Sequence, residues 1–71
     1  MWIKIPAKLF QNPRYAQGGL INMDCVTNVL LKSDEVHIQF QDDFETLHFE
    51  NDEKASVYFE KLVEKVEAEE I

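Results

Sequence analysis

The chain has 71 residues, enough for one small domain, and a net charge of −7 from 14 acidic and 7 basic residues. That charge disfavours binding to the phosphates of nucleic acids, and no apolar run approaches the roughly 20 residues that span a membrane. The first residues lack the apolar stretch of a signal peptide. The single cysteine, Cys25, excludes an internal disulfide and suits a reducing compartment, so we expect a cytoplasmic protein.

The charges are unevenly distributed along the chain. Every acidic residue lies at or after Asp24, whereas Lys4, Lys8 and Arg14 precede it. The segment before Asp24 is therefore basic, and the remainder of the chain is strongly acidic. One interpretation is that the basic segment lies against the acidic body of its own or a neighbouring subunit. The other is that it forms an arm that binds an outside partner.

The N-terminal part contains one predicted strand and one segment without a clear period. Trp2, Ile3 and Ile5 suit a short strand, which Pro6 weakens because proline cannot donate to a strand ladder. Residues 7–19 contain turn signals but no regular pattern. We leave three interpretations open for this segment: a loop, an extra strand around Leu9 and Phe10, or an interaction arm.

Strand character returns after residue 20 and continues from Val26 to Leu31. Strict alternation would place Val29 and Leu31 on one face and Val26 and Leu30 on the other. A strand that is apolar on both faces is central in its sheet or has its outer face covered. One helix cannot cover both faces, so this pattern favours a second covering element.

A β-hairpin is predicted from the alternation in residues 36–40 and 45–49. A turn at Asp42-Asp43 keeps both apolar sets on one face and places His37 opposite His48. Opposed side chains have Cβ atoms about 4.5–5.5 Å apart, so the two histidines could share a metal ion. The alternative is that they are two polar residues on a solvated face, and we predict no metal site.

An amphipathic helix is predicted from about Asp52 to Glu67, capped by Asn51 or Asp52. The most buried residues of hairpin and helix should share the faces that meet in the core. They are Ile38, Leu47, Phe49, Phe59, Leu62 and Val66.

No motif of a known catalytic or cofactor site is present. Gly18 and Gly19 are the only glycines and form no phosphate-binding loop, and no zinc-binding spacing occurs. No local signature surrounds Cys25, which we interpret as a buried or half-buried structural thiol. We therefore predict no catalytic residue, no cofactor and no enzyme activity.

Large or apolar side chains that one small core would not hold are candidates for an interface. These candidates, with one basic residue among them, are Trp2, Phe10, Arg14, Tyr15, Val26, Leu30 and Phe44. They predict a homodimer or higher homo-oligomer. The rival interpretation is that residues 7–19 fold back over the chain's own sheet.

Two short motifs resemble those of known small proteins. Ile21-Asn22-Met23-Asp24 resembles a strand entry, and the run from Phe49 to Ala55 resembles a helix entry. Both are similar to motifs of small uncharacterised bacterial and phage proteins, and the layout of residues 20–66 is similar to that of FlbD-type flagellar proteins. The resemblance implies a twisted sheet with a C-terminal helix, frequent self-association and no assigned catalytic residues.

These patterns together predict a single α+β domain with a small, mainly antiparallel sheet of about four strands and one C-terminal helix packed on one face. Residues 1–19 would form the N-terminal strand and basic segment, 20–50 a β-meander and 51–71 the helix. Our first functional hypothesis is a non-catalytic module for protein interaction or self-association. The alternative is a small acidic regulator that occupies the basic site of a partner protein. A metal-binding protein or an enzyme is the third.

Overall fold

Five strands and one C-terminal helix are present in residues 1–10 and 18–70, which are the residues that the computed structural model describes. The elements are β1 (Trp2–Ile5), β2 (Gly19–Asn22), β3 (Val26–Lys32), β4 (Glu35–Phe40), β5 (Phe44–His48) and α1 (Asp52–Val66). The predicted α+β class with a C-terminal helix is confirmed. The strands are divided between two antiparallel sheets, β1-β2 and β3-β4-β5.

The two-stranded sheet has one face in the core. Ile3 pairs with Ile21, and Ile5 pairs with Gly19; both isoleucines of β1 and Ile21 are buried. Gly18, which directly precedes β2, has a φ of +91°, and a Cβ at this position would lie 2.8 Å from the carbonyl oxygen of Ile5. Only glycine fits this close approach of two backbone segments.

The strand β3 contains a β-bulge that strict alternation does not predict. Val26 pairs with Phe40, but Asn28 pairs with Gln39, so Thr27 is an extra residue on β3. The Thr27 hydroxyl donates to the carbonyl oxygen of Gln39 at 3.1 Å. The bulge turns Val26 to the same face as Val29, where it is half-buried, and this corrects its predicted place on the outer face.

The β4-β5 hairpin has a register two residues away from the predicted one. The Phe40 N–H donates to the Asp43 carbonyl oxygen at 2.8 Å, so the turn lies at Gln41-Asp42. His37 is therefore opposite Thr46, and the predicted pairing of His37 with His48 is wrong. The apolar faces are unchanged, because a shift of two residues returns every side chain to the same face.

The core lies between the inner face of the three-stranded sheet, the two-stranded sheet and α1. Among the residues that the structure describes, ten form it: Ile3, Ile5, Leu9, Phe10, Ile21, Val36, Ile38, Leu47, Ala55 and Leu62. The predicted burial of Ile38, Leu47 and Leu62 is confirmed, whereas Phe49 and Phe59 are half-buried against this core. The prediction for Val66 is wrong: it is 41% exposed at the end of the helix.

Asn51, one of the two predicted candidates, is the N-cap of α1. Its side-chain oxygen accepts a hydrogen bond from the Lys54 N–H at 2.9 Å, and Asp52 and Glu53 lie in the first turn. Acids there interact favourably with the positive end of the helix dipole. The helix ends at Val66, and Glu67 adopts a left-handed conformation. No helix within residues 1–10 and 18–70 is both long and apolar enough to cross a membrane.

The segment after β1 begins with a 3-10 turn at Ala7–Leu9, and Phe10 then forms an isolated antiparallel bridge with Leu47 of β5. Phe10 is buried in the core. It is therefore not part of an exposed patch, which corrects its prediction as an interface residue. Arg14 and Tyr15 lie outside the described residues.

Candidate functional site

A cluster of three titratable side chains lies on the outer face of the three-stranded sheet, the face opposite α1. Glu35 is directly opposite His48, and His37 lies two residues along β4 on the same face. The His37 Nε2 donates to Glu35 Oε1 at 2.9 Å, and the His48 Nδ1 lies 3.4 Å from Glu35 Oε2. The hydrogen bond from His37 is the main cause that lowers the pKa of Glu35. This carboxylate therefore links the two histidines that the predicted register had placed side by side.

The cluster is a polar contact between side chains of the neighbouring strands β4 and β5. Among residues 1–10 and 18–70, no group of three or more histidine, cysteine or acidic side chains could hold a metal ion. Cys25 is exposed, which corrects its predicted burial, and its Sγ accepts a hydrogen bond from the Asn22 side-chain amide at 3.5 Å. The contacts found for Cys25 thus do not include either histidine.

The free edge of β3 is the clearest candidate for an interaction surface. Within the described residues, β3 is hydrogen-bonded to β4 on one side and to no strand on its other side. The opposite edge strand, β5, is bridged by Phe10. An open strand edge presents unpaired N–H and C=O groups that can pair with another strand. The two edges of this sheet therefore differ, and only the β3 edge lacks such a bridge in the described part of the chain.

An apolar groove of about 230 Å³ lies between β3 and the C-terminal half of α1. Its lining includes Met23, Val29, Phe59, Val63 and Val66. Val66, which we predicted in the core, therefore lines an open groove beside the β3 edge. We call the free edge of β3 together with this groove the β3 surface.

The charges around the β3 surface are sparse for such an acidic chain. No acidic residue lies between Asp24 and Asp34, and β3 carries one charged side chain, Lys32, at its last position. Asp24 is exposed and precedes the strand, where it accepts from the N-terminal ammonium at 3.3 Å. The strand thus has an acid before its start and a base at its end.

The remaining predicted interface residues occupy different surfaces. Trp2 is 64% exposed on β1, Leu30 is 49% exposed on the outer face of β3, and Phe44 is 58% exposed on β5. Of these three residues, only Leu30 lies on β3, the strand with the open edge. The sequence pattern did not reveal which strand edge is free, because the bridge from Phe10 to Leu47 joins residues far apart in the chain.

Comparison with protein-family models, curated proteins and solved structures found no match to this chain. The resemblance to FlbD-type and phage proteins therefore stays a prediction.

Proposed function

We propose that this protein is a non-catalytic interaction module that self-associates through the β3 surface. The observation that carries the proposal is an open seven-residue strand next to an apolar groove. In the proposed dimer, the β3 strands of two copies pair in antiparallel orientation across a two-fold axis near the middle of the strand. The two sheets then become one, and each copy covers part of the other's groove.

The charge pattern supports a second copy of the chain as the partner. Antiparallel pairing brings the end of one strand to the start of the other, so that Lys32 of each copy approaches Asp24 of the second copy. Natural proteins often protect open edges with charged residues or proline within the strand. From Val26 to Leu31, β3 has neither, although the bulge at Thr27 is a third protective feature and lies at the start of the strand. The pairing therefore joins opposite charges at both ends and uncharged residues between them.

A cytoplasmic location is part of this proposal, since Cys25 is exposed and free and a lone accessible thiol is compatible with a reducing compartment. The acidic regulator is the second candidate. It is favoured by the exposed acids of the helix and its C-terminal extension, among them Glu60, Glu64, Glu67, Glu69 and Glu70. Such a regulator would act as a monomer towards a basic partner, and its binding would weaken steeply with salt.

Sedimentation equilibrium over the micromolar range tests the dimer. We expect a mass that rises with concentration from 8.3 kDa to twice that value. Leu30→Lys should shift the equilibrium to the monomer, because the two-fold axis places both new charges close together. Phe44→Lys is the matched control, since it makes the same change at an exposed residue of β5.

A charge exchange tests the orientation of the strands. Lys32→Glu alone should weaken the dimer, and adding Asp24→Lys should restore much of the loss, because the pair is reversed and opposite charges meet again. A mass of 8.3 kDa at every concentration would refute the dimer and favour a fold-back of residues 7–19. Dissociation by Phe44→Lys but not by Leu30→Lys would place the interface elsewhere.

A further inference from the structure

A second concave surface lies away from β3, between the 3-10 turn Ala7–Leu9, the end of β5 and the helix. It is a cleft of about 410 Å³, within the range of about 300–1,000 Å³ of small-molecule sites. Leu9, Phe49, Val57 and Tyr58 provide apolar surface in it. Its lining shares no residue with the groove of the β3 surface, so the two surfaces can be tested separately.

The rim of this cleft is basic, although the chain carries a net charge of −7. Lys8, Lys54 and Lys61 line it, and Glu50 is the acidic residue that lines it with them. Lys54 forms an ion pair with Glu50, which leaves Lys8 and Lys61 as cations for which the described residues show no ion pair. The cleft therefore combines an apolar interior with local positive charge.

Helical spacing explains how α1 forms one wall. Lys54, Val57, Tyr58 and Lys61 are separated by three, four and seven positions, so they lie on one face of the helix. The apolar pair is thus flanked by a lysine one turn before it and a lysine one turn after it. Both lysines are exposed, and Lys8 and Leu9 of the 3-10 turn line the cleft with them.

Tyr58 adds an aromatic ring to this wall. Its hydroxyl is buried and has no hydrogen-bond partner among the described residues, and its ring packs at 5.1 Å from that of Phe49. Burial raises the pKa of Tyr58, so the hydroxyl keeps its proton at neutral pH. The buried hydroxyl is not accessible from the cleft, so Tyr58 contributes its ring to the wall.

We propose that this cleft binds a small monocarboxylic acid with an apolar aliphatic or aromatic body. The apolar body would lie against Leu9, Phe49 and Val57, and the carboxylate would lie at the rim near Lys8 and Lys61. An anion matches the basic rim, and an apolar body matches the interior. An apolar amino acid would also bring its ammonium group to the basic rim, and a neutral sugar would match neither feature.

Octanoate is a suitable probe, and 1-octanol is its uncharged counterpart of the same chain length. In titrations followed by amide chemical shifts, octanoate should produce saturable changes at residues 8–9, 48–50 and 54–61. It should bind about tenfold more tightly than octanol if the rim charge contributes about 1.4 kcal/mol. Equal affinity for the two probes would overturn the proposal, as would octanoate shifts that do not saturate or that map to the β3 surface.

Two variants sharpen the test. Lys61→Gln should weaken octanoate binding about two- to fivefold while octanol binding stays the same. Lys65→Gln, on the same helix but outside the cleft, is the matched control and should leave both affinities unchanged. Val57→Glu places a carboxylate at an exposed position of the wall and should abolish octanoate binding in a folded protein. Unchanged octanoate binding by Lys61→Gln and Val57→Glu would also refute the site.

Discussion

Truncation of Ile38 tests the core on which both proposed surfaces depend. Ile38 lies on the central strand β4, pairs with Val29 and Glu45 on its two sides, and is 0% exposed. Ile38→Ala removes three buried carbon atoms and leaves a cavity, which costs about 2–5 kcal/mol in comparable cores. At about 0.05–0.15 kcal/mol per residue, a chain of 71 residues has a free energy of unfolding of only about 4–10 kcal/mol. The variant should therefore be marginally folded.

Urea denaturation followed by circular dichroism measures this effect. With a slope of about 1 kcal/mol per molar urea, a small domain should lose at least about 2 M in its unfolding midpoint. Val57→Ala, at a half-exposed helical position, is the control and should change the free energy of unfolding by no more than about 0.5 kcal/mol. An unchanged midpoint for Ile38→Ala would show that the inner face of β4 is assigned wrongly.

Two further variants test local contacts. Asn51→Ala should lower the free energy of unfolding by about 1 kcal/mol in thermal or urea unfolding, because it removes the cap on the Lys54 N–H, whereas Asn51→Ser should retain most of it; equal losses in both would argue against the cap. Glu35→Gln removes the carboxylate that links His37 and His48. Because the pKa of Glu35 is held below its ordinary value of 4.5, its ionised form stabilises the fold above pH 4.5, and this stability is lost as the pH falls through the lowered pKa. The difference in unfolding free energy between wild type and Glu35→Gln should therefore shrink in acid, and a difference that grows below pH 4.5 would contradict the role of the cluster.

The hairpin and the helix were predictable because the spacing of their apolar residues indicates the element type without any knowledge of tertiary contacts. The change from alternation in residues 36–49 to helical spacing after Asn51 predicted the correct element types, and the cap is one of the two candidates, Asn51 and Asp52. The register was not predictable from that rule, because turns one residue apart leave the same side chains on the inner face. The choice between them decides whether His48 is opposite His37 or Glu35, so the polar cluster was missed.

Errors at Val26, Phe10 and Val66 have separate physical causes. The bulge at Thr27 reverses the face of Val26, and periodicity carries no signal for one extra residue. Phe10 is buried through a bridge to Leu47, a contact distant in sequence. Val66 continues the apolar stripe of the helix, but none of the described elements covers the C-terminal end of α1. Both proposed surfaces depend on such long-range packing, and for that reason the periods of the sequence did not indicate them.

The most direct test of the proposed function is an isotope-filtered NOE measurement on a mixture of labelled and unlabelled chains, made at a concentration where sedimentation shows association. We expect intermolecular contacts between the β3 strands, centred on Val29, Leu30 and Leu31, with further contacts from Val66. Intermolecular contacts confined to Trp2 or Phe44, with none from β3 in the associated sample, would refute the proposed dimer.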